Sequence, residues 1–258
     1  MQEITSRRNP QIQHLKKLGA DRAYRDACGE FLCDGFKLYQ EALQWGMEIT
    51  LLATSQREIG ESFAGQAILV PEDVLHSISP IKSPQPLIFA CKKPHLGLAE
   101  SPDTVLILDG IQDPGNAGTM IRSAGAFAVD QVILTGGSAD IYNPKTIRAA
   151  MGAVFHQRAQ EMTLDELIYY VNQNDLRLIG AALREGGKEA SALQPIRAAI
   201  AIGSEGRGLS QALLNHCHET VEIPMNPACE SLNAGVAGSI LLWELYKKKY
   251  LQNSTDSI

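Results

Sequence analysis

Apolar positions along the chain fall into two regimes. Up to about residue 90, short apolar runs mix helical and strand spacing. Asn9-Pro10 opens a helix to about residue 18, with proline in the first turn, where its missing N–H costs nothing. Residues 31–33 predict a short strand and 36–45 a helix. Residues 49–53, 67–70 and 87–90 predict strands, the last closing this unit. A small βαβ-type domain over 1–90 is the natural assembly. Residues 91–104 hold two prolines and no periodic pattern and predict a linker. From residue 105 to 251 near-continuous apolar strands (105–108, 132–134, 178–183, 198–202, 221–223) alternate with helices (117–128, 144–150, 164–172, 209–216, 232–250). That alternation predicts an α/β domain whose parallel sheet is covered on both faces. Residues 252–258 predict a frayed tail.

Composition narrows the setting. At 45% hydrophobic and 20% charged the chain reads as an ordinary globular protein. No apolar run approaches the ~18 residues that span a bilayer, so no membrane partner is expected. The N-terminus lacks the apolar core of a secretory signal. The five cysteines show no CxxC pair, which fits a reducing cytoplasm. The net charge of −6 argues against a nucleic-acid partner, but its distribution argues for one. Residues 1–25 carry Arg7, Arg8, Lys16, Lys17, Arg22 and Arg25 against Glu3 and Asp21, so the remaining residues are strongly acidic. A basic arm can grip RNA phosphates locally, because salt screens distant charge within ~10 Å. A solvated helical face explains the same charges equally well.

Ligands of open parallel sheets sit beyond the carboxyl ends of strands. Three loops there have unusual composition. Asp109 to Gly118 carries three glycines and leads into a helix bearing Arg122. It is neither a Walker loop nor a dinucleotide fingerprint, and alone it is equally a strand-to-helix turn with a surface arginine. Residues 202–209 set Glu205 between glycines, where a carboxylate can hold a hydroxyl or an arginine. In 223–234, Ser231 or Asn233 could cap the last helix, which then shows the small residues Gly235, Ala237 and Gly238. His216-Cys217-His218 has no further ligand at metal spacing, so no metal is expected. Cys229 reads as a loop filler, and Lys247–Lys249 as charges favoured near a helix C-terminus.

Taken together, Asn116-x-Gly118-x-x-x-Arg122, Gly203-x-Glu205-x-x-Gly208 and Ser231-Leu232-Asn233-x-x-x-Ala237 resemble the three motifs of the SpoU/TrmH-type branch of the SPOUT RNA 2′-O-ribose methyltransferases. Order and spacing match over some 140 residues. The N-terminal Thr5-Ser6-Arg7-Arg8-Asn9-Pro10 and the 31–37 segment resemble, more loosely, the ribosomal-protein-like RNA-binding domain of many members. The resemblance implies a C-terminal sheet tied in a deep trefoil knot, a topology that chain physics alone disfavours. It implies bent S-adenosylmethionine held at Thr135, Gly136, Gly203, Ile223, Met225 and Leu232, and a homodimer packed partly through the last helix. It implies catalytic roles for Asn116, Arg122, Glu205, Ser231 and Asn233. Arg122 would orient the nucleotide rather than act as base, since a guanidinium pKa above ~12 makes proton abstraction costly. Glu205 would hold Arg122 or Asn116. Ribosomal RNA is the substrate favoured over transfer RNA. The chain departs from the commoner Asn-Val-Ser-Val-Ala-Ala by carrying Asn233-Ala-Gly-Val-Ala-Gly238, whose smaller residues either loosen local packing or admit a closer neighbour. A non-catalytic RNA-binding protein on this fold and a nucleotide-binding α/β enzyme without RNA are the competing readings.

Overall fold

The computed structural model describes residues 1–79, 85–182, 187–194, 197–229 and 231–255, of which 251–255 by backbone alone. The chain divides into two compact units, Met1–His95 with Tyr142–His156, and Leu96–Ile141 with Gln157–Ile258.

The first unit contains β1 (Gln2–Glu3), α1 (Pro10–Ala20), α2 (Arg22–Cys28), β2 (Glu30–Asp34), α3 (Phe36–Gln44), β3 (Ile49–Thr54), α4 (Arg57–Ser62), β4 (Ala67–Leu69), α5 (Glu72–His76) and β5 (Leu87–Lys92). Its sheet runs in the order β1-β4-β3-β5-β2, parallel from β1 to β3 and antiparallel across β5. Asn9 starts α1 by accepting from Gln11 N at 2.9 Å, and Pro10 takes the first helical position. Ile12, Leu15 and Leu18 then fall on one face and are buried with Leu32, Ile88 and Ala90. Each such side chain contributes about 1.5–3 kcal/mol by leaving water. β5 takes in Cys91 and Lys92, which the sequence pattern assigns to the linker. Helix α2 has no counterpart in the sequence pattern. Arg25 within it is buried and donates to Leu18 O at 2.8 Å, so it drops out of the basic arm.

The second unit opens with the rest of the expected linker lying along it: Ala99 N donates to Gln131 Oε1 and Ala99 O accepts from Tyr170 OH. Then come β6 (Thr104–Asp109), α6 (Pro114–Ala126) and β7 (Gln131–Thr135). The next helix, α7 (Pro144–Ala150), corrects an expectation. It belongs to the first unit and not to the parallel sheet. The reason is apolar: Tyr142 and Phe155 flank the Phe31 ring at centroid distances of 4.9 and 6.1 Å. The second unit resumes with β8 (Ala159–Glu161), α8 (Leu164–Gln173), β9 (Arg177–Ala181), β10 (Lys188–Glu189), β11 (Ala198–Gly203), α9 (Gln211–Leu214), β12 (Glu219–Glu222) and α10 (Ala234–Thr255). Its seven strands run β10-β12-β9-β11-β6-β7-β8, and every neighbouring pair is parallel. The apolar runs of β6, β7 and β11 are buried throughout, as strands covered on both faces require. Leu183 of the strand expected at 178–183 lies outside the described residues, as does the end of the expected tail. The α10 backbone continues helical to Thr255, where a frayed tail was expected from 252.

The small residues of α10 have a structural reason. A Cβ on Gly238 would stand 2.8 Å from Met120 Sδ of α6, and Ser239 Oγ meets Ser123 Oγ at 2.7 Å. Helices α6 and α10 therefore approach more closely than larger side chains allow. Among the described residues no helix is long and apolar enough to cross a membrane.

Candidate active site

Three loops at the carboxyl ends of β6, β11 and β12 converge. After β6, Asp113 caps α6 by accepting from Asn116 N at 2.8 Å. The helix thus begins three residues earlier than the periodicity predicts, and Asn116 sits in its first turn, buried. After β11, Gly203 passes so close to the returning strand that a Cβ on it would lie 2.0 Å from Gly208 C. Ser204 and Gly208 then bridge in antiparallel fashion, making a tight hairpin with Glu205 near its tip. After β12, Asn233 caps α10, its Oδ1 accepting from Val236 N at 3.1 Å. The helix starts at Ala234, so Leu232 lies before it.

Glu205 Oε1 is the meeting point. It accepts from Asn116 Nδ2 at 2.6 Å, from Asn233 Nδ2 at 2.8 Å and from Ala234 N at 3.4 Å. Asn233 Nδ2 also reaches Asn116 Oδ1 at 2.9 Å. Of the two partners expected for Glu205, the structure chooses Asn116. Arg122 stands apart, on the exposed side of α6, and no described residue bonds its guanidinium. Asp109 is a group the sequence pattern left without a role. Buried at the end of β6, it accepts from Thr135 Oγ1 at 3.0 Å and from Ser210 N at 2.7 Å, tying three loops together. A carboxylate closing an all-apolar strand just before glycine was the available signal.

Two cavities flank the 204–208 hairpin. One of about 450 Å³ is lined by Gly203, Ile223, Met225, Ser231 and Leu232, with Leu209 among its further walls. The other, of about 670 Å³, is lined by Asp109, Asn116, Thr135 and Gly136. Thr135 and Gly136 therefore separate from the other residues expected to hold the cofactor. Ser204, Glu205, Arg207, Gly208 and Ala234 face both spaces. The first cavity suits a flat heterocycle with a polar tail: apolar side chains wall much of it, and the missing Cβ of Gly203 lets the Gly208–Leu209 backbone close the hairpin that forms one side. In the His216-Cys217-His218 run, His218 Nδ1 accepts from Leu178 N at 3.0 Å.

In the first unit, Arg7 pairs with Asp73 at 2.7 Å and Lys17 lies 5.2 Å from the Tyr24 ring centre, both exposed. Arg8 is exposed and Lys16 half-buried.

Residues 103–243 match the SpoU rRNA Methylase family, and residues 9–89 match an MRM3-like substrate binding domain. The chain is 32% identical over 248 residues to the 23S rRNA (guanosine(2553)-2′-O)-methyltransferase RlmP of Bacillus subtilis, covering 95% of this chain and 99% of that protein. It resembles a solved RNA 2′-O ribose methyltransferase with TM-score 0.82 and 30% identity, over 96% of this chain and 99% of the other. The SpoU methyltransferase AviRb of Streptomyces viridochromogenes, solved with S-adenosylmethionine, matches with TM-score 0.84 and 26% identity over 94% and 99% of the two chains. With motifs, site geometry and whole-length likeness in agreement, the chain belongs to the SpoU rRNA methylase family.

Proposed function

We infer that this chain transfers a methyl group from S-adenosylmethionine to a ribose 2′-hydroxyl of RNA, with ribosomal RNA as its substrate class. The observation that carries the reading is the Asn116–Glu205–Asn233 hub, centred on Glu205, which lines both cavities. The whole-length likeness to a ribosomal-RNA methyltransferase supports the choice of RNA. When bound, the cofactor supplies an electrophilic sulfonium methyl, so the protein's task is alignment of the attacking oxygen. Gly203, Ile223, Met225 and Leu232 hold the donor, and Ser231 lies at the same cavity. Thr135 and Gly136 line the neighbouring space with Asn116 and serve the nucleotide side. Glu205 fixes both amides and thereby the relative position of the two loops. Arg122, bonded by no residue among those described, orients the substrate phosphate; its permanent charge makes it a poor base. Exposed Arg8 and Lys17, with Arg7 and Lys16, contribute sequence-independent phosphate contacts.

The reading extends to a homodimer. Val236, Trp243 and Tyr250 recur every seventh residue on α10 and are 46%, 45% and 61% exposed, an apolar stripe suited to a second copy. It also includes the trefoil knot that the motifs imply, and a cytoplasmic site of action, where the five free thiols stay reduced.

The test uses purified protein, radiolabelled cofactor and ribosomal RNA from cells lacking the gene. Wild type is expected to label the RNA at 2′-oxygens. Arg122→Ala should lose about 100-fold in methylation while cofactor affinity stays within about twofold. No transfer by wild type would overturn the function, and near-normal transfer by Arg122→Ala would overturn that residue's role.

A further inference from the structure

Arg207 is a cation to which the methyl-transfer hub gives no task. It stands in the turn of the hairpin after β11, between Gly206 and Gly208, and is exposed. The base of that turn is pinned: Gly208 N donates to Ser204 O at 2.8 Å, and Ser204 N donates to Gly208 O at 3.0 Å. Two residues before Arg207, Glu205 is committed to the amides of Asn116 and Asn233. The backbone that carries Arg207 is therefore held from two sides before any ligand arrives, which lowers the ordering cost of binding. Arg207 lines both cavities, and no described residue bonds its guanidinium.

The charges around it select the ligand. Among the described residues that line the two cavities, Arg207 is the one lysine or arginine, set against the carboxylates of Asp109, Asp113, Glu205 and Glu222. Asp109, Asp113 and Glu205 accept from Ser210 N, Asn116 N and the hub amides, and none of them bonds Arg207. A space with that balance repels a phosphate, which brings only negative charge. It tolerates a zwitterion, whose own cation travels beside its carboxylate. The amino-acid end of S-adenosylmethionine is such a zwitterion. A guanidinium meets a carboxylate with two parallel N–H donors, and half-buried Glu222 gives the same cavity a charge of the sign that the ammonium requires. We propose that Arg207 binds the carboxylate of S-adenosylmethionine. It is a positioning residue: it grips the end of the donor that does not react, so that the reacting end is held in register with the hub.

The proposal rests on the methyltransferase reading in taking S-adenosylmethionine as the donor. The probes are S-adenosylmethionine and its decarboxylated analogue, which keeps the adenosine, the sulfonium and the amine and lacks only the carboxylate. Both are titrated calorimetrically into the full-length protein at low salt. Wild type is expected to bind the decarboxylated compound about tenfold more weakly, the lower end for a bond between charged groups, because Arg207 is exposed. Arg207→Ala should bind S-adenosylmethionine about tenfold more weakly than wild type does, and bind the two compounds within about twofold of each other. Arg207→Lys, which keeps the charge without the fork, should restore part of the discrimination. A merely structural role would weaken both compounds alike, so equal losses in Arg207→Ala overturn the contact. A wild type that binds both compounds equally overturns it too, and that result needs no variant to fold. Affinity for a fluorescent single-stranded RNA oligomer is read by anisotropy on the same proteins. Weakened RNA binding with unchanged cofactor affinity in Arg207→Ala would assign the guanidinium to phosphate and refute the proposal. Cofactor binding without carboxylate dependence refutes the role of Arg207 alone. No binding of either compound by wild type refutes the methyltransferase reading itself, and the proposal with it.

Discussion

Glu205 offers the sharpest test of how the site works, because two substitutions separate its geometry from its charge. Its Oε1 receives two side-chain amides, at 2.6 and 2.8 Å. A hydrogen bond to a charged group contributes about 1.5–3 kcal/mol net, and the lower end applies because Glu205 is exposed. Removing both with Glu205→Ala therefore forfeits about 3 kcal/mol of loop positioning, or roughly 150-fold in population of the assembled site. Glu205→Gln keeps an oxygen that both amides can reach. Neutral bonds are about half as strong as charge-assisted ones, so the loss falls to about 1.5 kcal/mol, or roughly tenfold. Single-turnover methylation with saturating cofactor, paired with calorimetric cofactor affinity, reads both effects. The expected order is wild type, then Gln at about one tenth, then Ala at about one hundredth or less. If Gln were as damaged as Ala, the carboxylate charge itself would be required and the positioning argument would be wrong. If Ala retained activity near wild type, the hub would be dispensable.

Three further outcomes follow from other parts of the fold. Gly203→Ala puts a Cβ 2.0 Å from Gly208 C, backbone that no side-chain rotation relieves, so the hairpin must shift and cofactor Kd should rise by roughly 5–150-fold from about 1–3 kcal/mol of overpacking; an unchanged Kd in calorimetry would refute the hairpin as a wall of the cofactor site. Trp243→Glu should convert a dimer to a monomer in light scattering, and a wild type that is itself monomeric at micromolar concentration would remove the α10 interface. The Thr163 backbone N–H, then its hydroxyl, hold the Glu166 carboxyl below its ordinary 4.5. A depressed folded pKa stabilises above the unfolded value, so the melting-temperature deficit of Glu166→Gln should be full at neutral pH and shrink as pH falls below 4.5; a deficit independent of pH would refute the capping box as its source.

The sheet of the second unit was legible because burial on both faces leaves a local mark. A strand with no solvent face needs an unbroken apolar run, and Val105–Leu108, Val132–Leu134 and Ala198–Ile202 each show one. Edge strands leave weaker marks. Ala159–Glu161 and Lys188–Glu189 are too short and polar to stand out, yet both pair in parallel with a neighbour. The position of α7 was illegible for a different reason. Asn143-Pro144 announces a helix start, but nothing local says which sheet its apolar residues cover. Phe31, more than a hundred positions earlier, supplies the surface.

The site shows the same division between what spacing encodes and what only folding joins. Asn116, Glu205 and Asn233 were each identifiable by motif, but their mutual bonding links residues up to 117 positions apart. The resemblance left Arg122 and Asn116 as alternative partners of Glu205. The helix geometry decides between them. Asp113 caps α6 early, so Asn116, itself buried, turns toward Glu205 and Asn233, while Arg122 comes out on the exposed side. That separation has a chemical consequence. A carboxylate that bonded Arg122 would neutralise the cation that the proposed function places on RNA phosphate. By satisfying Glu205 with two neutral amides, the fold leaves the guanidinium without a bonded carboxylate among the described residues, which is what the proposed role at a polyanion requires.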